Sequence, residues 1–296
     1  MNPQLKYLFK PEVVNTVNGL ELIARIIVEG FISGSNRSQS IGIGQEFSQY
    51  RGYEPGDDLR LLDWKMYARS ERYFVKLSEI ETNITIKFIV DASHSMSYSE
   101  NGLSKLHYAK VMTVALAYLA RKQSDAIGLY GINDLHPEVV QARFENQQFM
   151  RFVNALVQLK SEGQWGQKTE ALIDHTGKEM IVFITDLYDR DKDLLSFISR
   201  LKTSRNEVIV FHLMGKSEHD LSYEGAYTFE DLETGARVKV DTAVKQKEYV
   251  RLVDDWINTV RAALLEKSIS YTLVTLDSPV ENTLRDFLKA RKQLLR

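Results

Sequence analysis

Ile86-Lys87-Phe88-Ile89-Val90-Asp91-Ala92-Ser93-His94-Ser95-Met96-Ser97 decides how this chain is read. A run rich in β-branched and aromatic residues ends in a carboxylate followed by spaced hydroxyls, the pattern of a buried strand leaving a core. In open α/β sheets ligands bind outside the carboxyl ends of the strands, so a D-x-S-x-S loop there offers three hard oxygens within a few residues. Asp91, Ser93 and Ser95 are therefore candidate cation ligands. Ser104 is better placed to cap the following helix, which leaves Ser93 and Ser95 free of that duty. His94 and Met96 fall at variable positions and read as incidental.

A second acidic strand end follows the apolar run Ile181 to Ile184, in Ile184-Thr185-Asp186. If the two strands are neighbours, ~4.8 Å apart, Asp91 and Asp186 approach one point and repel unless a cation or a proton intervenes. Mg²⁺ suits such a place, since it favours octahedral oxygen coordination by one or two carboxylates with retained waters, and Mn²⁺ can substitute. Two carboxylates neutralise the ion formally and leave a water position that a partner's Asp or Glu can displace.

Outward from these strand ends, helical and extended patterns alternate. Leu20, Ile23, Ala24, Ile27 and Val28 predict an amphipathic N-terminal helix, and Ser33 to Gly56 a long loop. Helices are expected from Ser104 to Lys122, around Phe149 to Leu159, around Leu194 to Leu201 and from Val250 to Leu264, with a last one around Leu284 to Leu288. Strands are expected at Ala126–Ile132, Val139–Ala142, Val208–Phe211 and Ile269–Leu276. Thr228 to Val240 reads as an inserted hairpin turning near Thr234-Gly235. This alternation predicts an α/β protein with a mainly parallel sheet covered on both faces, preceded by a helix-plus-loop extension. The expected division is 1–80, helix and charged segment, and 81–296, the sheet domain.

The 296 residues carry 38 Lys plus Arg against 40 Asp plus Glu, so no global field recruits nucleic acid or an acidic membrane surface. The absence of cysteine removes disulfides and thiolate chemistry. No stretch approaches the ~20 apolar residues of a membrane span and Met1 to Lys10 lacks a secretory core, which predicts a cytoplasmic protein.

Between loop and first strand, Tyr50 to Arg72 is crowded with charge. Pro55-Gly56-Asp57 is a turn, and Arg51, Arg60 and Arg69 lie among Asp57, Asp58 and Asp63, with Tyr53 and Trp64 between them. Guanidinium groups favour bidentate pairing with carboxylates, so these residues read as a scaffold or second contact surface. Positive and negative charges nearly cancel, which argues against a nucleic-acid face.

Asp91-x-Ser93-x-Ser95 with a distant Thr and Asp resembles the metal-ion-dependent adhesion site of von Willebrand factor type A domains. The resemblance implies a Rossmann-like three-layer fold, and a threonine ligand between Ser95 and Asp186, for which Thr169 in Gly166-Gln167-Lys168-Thr169 is the candidate. The longer run from Ser33 to Met96 is similar to the signature of bacterial proteins classed as domain of unknown function family fifty-eight, with its Y-x-P-G-D-D-x-R-x-x-D-W, then A-R, then a strand ending D-x-S-x-S-M. That likeness implies a MoxR-type AAA+ ATPase, or its client, as partner.

The expected function is thus a non-enzymatic adaptor whose Mg²⁺ site captures an acidic side chain of a partner protein. A Mg²⁺-dependent phosphohydrolase using Asp91 is one alternative, though Ser93 stands where such enzymes carry their acid/base Asp. A metal-free scaffold with a degenerate site is another. No Walker A motif, H-E-x-x-H or G-x-S-x-G elbow is present.

Overall fold

The structure is a computed structural model that describes residues 10–36, 49–59, 62–77, 84–166, 179–188, 193–223 and 225–294. In chain order the elements are α1 (Pro11–Val14), α2 (Val17–Asn36), β1 (Gln49–Gly52), α3 (Trp64–Ser70), β2 (Phe74–Leu77), β3 (Thr85–Asp91), β4 (Ser99–Glu100), β5 (Leu103–Ser104), α4 (Lys105–Lys122), β6 (Ala126–Ile132), β7 (Glu138–Arg143), α5 (Gln148–Gln158), β8 (Glu179–Thr185), α6 (Asp193–Leu201), β9 (Asn206–Met214), α7 (Lys216–Asp220), β10 (Ala226–Glu230), β11 (Arg237–Asp241), α8 (Thr242–Glu266), β12 (Ser270–Thr275) and α9 (Val280–Leu294). Among the described residues no helix is long and apolar enough to cross a membrane.

Two compact units result, residues 1–32 with 84–296, and residues 33–83. This differs from the expected division at residue 80. The apolar face of α2, with Leu20, Ile23, Ala24, Ile27 and Val28, is buried in the same core as β3 and α4, so the N-terminal helix is part of the sheet unit.

The central sheet runs β12-β9-β8-β3-β6-β7, parallel except for the antiparallel edge strand β7. Numbered by appearance this is 3-2-1-4-5-6 read from β7, the doubly wound order, and its direction of winding reverses between β3 and β8. Every residue of β8 is buried, as a parallel strand covered on both faces requires. Alternate side chains feed two cores. Phe88, Val90, Val182, Ile184 and Phe211 pack with α4, α5 and α9, while Ile89, Ile181, Phe183 and Val210 pack with α6 and α8. This is the three-layer α/β architecture expected.

In the smaller unit β1 pairs antiparallel with β2. Asp63 caps α3 by accepting from the Lys65 and Met66 amides, at 2.9 and 3.0 Å. Arg51 holds Asp57 at 2.7 Å, and Asp57 also accepts from the Glu54 amide, so the Pro55-Gly56 turn is clamped as its sequence implied. Tyr67 stacks on Tyr73, with ring centroids 4.5 Å apart, and Tyr53 and Trp64 meet these rings edge-on. Trp64 stays largely exposed. Arg60 lies outside the described residues.

Candidate metal centre

Parallel pairing of β3 with β8 brings Val90 opposite Ile184, so both strands discharge their acidic residues at the same edge. That edge is the switch point of the sheet, where neighbouring crossovers leave in opposite directions and open a crevice. Asp91, Ser93, Ser95 and Asp186 converge there, all buried. A short 3₁₀ turn, His94–Ser97, follows Asp91 and drives Met96 into the core. Asn133, beyond β6, braces this loop by donating to the carbonyls of Ala92 and Lys160.

Asp91 Oδ1 accepts from the Ser93 amide at 3.0 Å and from Ser93 Oγ at 2.7 Å, while Thr185 Oγ1 donates to Asp91 Oδ2 at 2.6 Å. Ser95 Oγ donates to Asp186 Oδ1 at 3.2 Å, an oxygen that also takes the Tyr188 amide. Ser93 Oγ and Ser95 Oγ are also within hydrogen-bond distance of each other, at 3.0 Å, so the two hydroxyls link the two carboxylates into one connected set. Two hydroxyls and two carboxylates converging at one strand edge form the hard-oxygen donor set that Mg²⁺ takes. Among the described residues no three His, Cys, Asp or Glu side chains form a metal-binding group, so the donor set is hydroxyls with two carboxylates rather than a carboxylate cage.

The repulsion expected between the two carboxylates is met in part by Lys105, at the start of α4. Its Nζ lies 2.9 Å from Asp186 Oδ2 and 2.9 Å from Glu218 Oε1, and 5.1 Å from the Tyr98 ring centroid. Burial alone would lower the Lys105 pKa, but Asp186 and Glu218 outweigh it and hold the ammonium above its ordinary value. Among the described residues no cation pairs with Asp91. Burial, and then the charge of Asp186, push it up to about 7 against the hydrogen bonds from Thr185 and Ser93.

Sequence reading missed Thr185, Lys105 and Glu218. Thr185 sits inside the strand-end tripeptide already singled out. Lys105 carried a signal, because a cation in a helix's first turn opposes the macrodipole and needs a carboxylate. Thr169 lies outside the described residues; among those described, Thr185 is the threonine held against Asp91. The segment Arg51 to Arg69 belongs to the other compact unit.

Residues 49–255 match the family model described as "Protein of unknown function DUF58". Uncharacterized proteins of Mycobacterium tuberculosis and Mycobacterium bovis are 22% identical over 245 residues, 79% of this chain and 76% of theirs. Among solved structures, the conserved hypothetical protein BatB of Bacteroides thetaiotaomicron is 11% identical, covering 71% of this chain and 100% of that one, with a TM-score of 0.44. The SpRpn10 VWA domain is 13% identical, covering 69% and 94%, with a TM-score of 0.41.

Proposed function

The chain belongs to the DUF58 family, and on that premise we propose that it is a non-enzymatic adaptor that holds Mg²⁺ at the β3–β8 edge and captures an acidic side chain of a protein partner. The observation that carries the reading is the convergence of Asp91, Ser93, Ser95 and Asp186, all buried and linked by hydrogen bonds, where β3 and β8 end side by side. Ser93 and Ser95 would hold the ion directly, with Asp91 and Asp186 orienting them and balancing its charge. Bound there, Mg²⁺ supplies a Lewis-acidic position for a carboxylate oxygen.

Binding is favoured over phosphoryl transfer by the state of Asp91. Both its oxygens are taken by donors and its side chain is fully buried, which disfavours attack on a phosphate. The family resemblance makes a MoxR-type AAA+ ATPase, or its client, the proposed partner, and the exposed Trp64 of the smaller unit a second contact.

Calorimetric titration of Mg²⁺ and Mn²⁺ into the wild type and Asp91→Ala tests the site. Heat in the wild type alone is expected, and no heat in either protein would eliminate the cation. Capture of a purified MoxR-type ATPase should be lost on adding a chelator, whereas capture indifferent to chelator would remove the metal from recognition.

A further inference from the structure

The β10–β11 hairpin is amphipathic, yet its apolar face belongs to neither core. Tyr227 pairs across the ladder with Val240, and Phe229 with Val238, so these four side chains share one face, while Thr228 and Lys239 pair on the other. A two-stranded hairpin needs such a face packed against something, because alone it is marginal in water. Among the described residues the two cores include none of the four, and Val238 is 61% exposed. Phe229, Val238 and Val240 instead line a cavity of ≈ 510 Å³, together with Tyr98 and Tyr223. The Tyr223 ring meets those of Tyr227 and Phe229 at 5.2 and 5.5 Å between centroids, which fixes the apolar face in place. Ser95 and Asp186 line the same cavity, so it is continuous with the cation site.

The charges around this space are already matched. Lys105 bridges Asp186 and Glu218, Glu230 holds Arg237 at 3.0 Å, and Lys245 holds Glu248 at 2.8 Å. Asp231 takes the Tyr188 hydroxyl and the amides of Glu233 and Thr234. What the walls offer a guest is therefore aromatic and aliphatic surface that ends at the oxygens of the cation site. Ligand pockets of about 300–1,000 Å³ are built this way, mostly apolar with a few polar groups that fix orientation. The hairpin side stays open, since Val238 and Tyr227 both reach solvent, so a chain can enter the cavity with one side chain and continue outside it.

We propose that this cavity receives an aromatic side chain of the partner protein, carried two residues from the acidic side chain that reaches the cation. This inference rests on the Mg²⁺ reading above and adds to it the partner's sequence class, an exposed extended segment with Asp or Glu near a Phe, Tyr or Trp. In such a segment side chains at i and i+2 point to the same side, roughly 6.7 Å apart, so one enters the cavity while the other meets the metal at its end. The rings of Tyr98, Tyr223 and Phe229 give an aromatic guest edge and face contacts. A cation alone accepts any exposed carboxylate, whereas a pocket beside it admits only those with the right neighbour.

Ligand-observed NMR titration of the full chain with three capped pentapeptides separates the outcomes. The first has a central Asp with Phe two residues away on either side and Gly between, the second replaces both Phe by Ala, and the third replaces Asp by Asn. In Mg²⁺ the first should bind about tenfold or more tightly than the second, the fold-change that burying one aromatic side chain implies. Val238→Asp, which sets a charge on the cavity wall at an exposed position, should abolish that preference, and Thr228→Asp, on the hairpin's other face, should keep it. Equal binding of the Phe and Ala peptides, or binding of neither by a protein that takes up Mg²⁺ in the calorimeter, would overturn the assignment while the cation site stands. A preference for Phe that Val238→Asp retains would overturn it as well, because the ring would then lie elsewhere. Asp and Asn peptides that bind alike, with chelator making no difference, would instead defeat the Mg²⁺ reading on which it rests.

Discussion

Lys105→Met removes the ammonium that, among the described residues, pairs with Asp186, while keeping the length of the buried stem. Lys105 Nζ bridges Asp186 and Glu218 at 2.9 Å each, and the side chain is almost wholly buried. Glu218 is partly exposed and keeps the Gly215 amide on its second oxygen, so it can rehydrate. Asp186 is buried and cannot, although it retains the Ser95 hydroxyl and the Tyr188 amide. Breaking a buried pair by removing one partner costs about 3–5 kcal/mol, and the two surviving donors place this case near the lower figure. In urea, with a slope of roughly 3 kcal/mol/M, that is a midpoint shift of about 1 M in the presence of chelator. Mg²⁺ at a hundredfold its Kd adds about 2.7 kcal/mol to either protein, so it narrows the gap by as much as the variant binds it more tightly. The variant should also bind Mg²⁺ more tightly than the wild type, having lost a competing positive charge. Equal destabilisation with and without Mg²⁺, or no destabilisation at all, would refute the idea that Lys105 partly neutralises a site built for a stronger cation.

Two further expectations concern the rest of the fold. Lys87 and Glu179 pair at 2.7 Å between β3 and β8 with both side chains shut from water, so Lys87→Met alone should cost about 3–5 kcal/mol in thermal or chemical melts, and adding Glu179→Leu should recover most of it; a double variant as unstable as the single one would contradict this. Burial lowers the Lys110 pKa to about 8, while Nζ donates to Val157 O at 3.0 Å. Against an unfolded value of ~10.4, the unfolded chain binds more protons between the two, so this group makes stability rise as pH climbs through that window, by up to roughly 3 kcal/mol. Lys110→Met should flatten the rise in urea melts taken from about pH 8 to 10, and an unaltered slope would show that the amine is not the cause.

The fold was legible because its strands are nearly pure apolar runs of the right length, each followed by a helical repeat. The expected strand at Ala126–Ile132 coincides with β6, and Ser104 caps α4 by accepting the His107 amide at 3.1 Å. The hairpin was legible too, from Thr234-Gly235 at its turn. The place of α2 was not. An amphipathic helix announces that one face is buried but not against what, and the long stretch after it suggested a separate piece. The candidate site divides in the same way. Asp91, Ser93 and Ser95 are local, and Asp186 follows from two strands being neighbours. Lys105 and Glu218 come from two elements whose meeting depends on how a connection folds back, which no periodicity records.

That connection explains why the site has two unlike halves. Asp91, Ser93, Ser95 and Asp186 hang on β3 and β8, adjacent strands in the middle of the sheet, where pairing on both sides leaves the backbone no freedom. Glu218 comes from the stretch between β9 and α8, on a five-residue helix followed by a hairpin whose strands are mostly exposed. The hairpin's base is closed locally: Thr242 Oγ1 donates to the Tyr223 and Gly225 carbonyls at 2.6 and 2.7 Å. The same stretch is joined to the strand ends by side chains, since Lys105 bridges Glu218 and Asp186 and the Tyr188 hydroxyl donates to Asp231. In a doubly wound sheet the crevice at the switch point is open by construction, and here the inserted stretch walls it on one side.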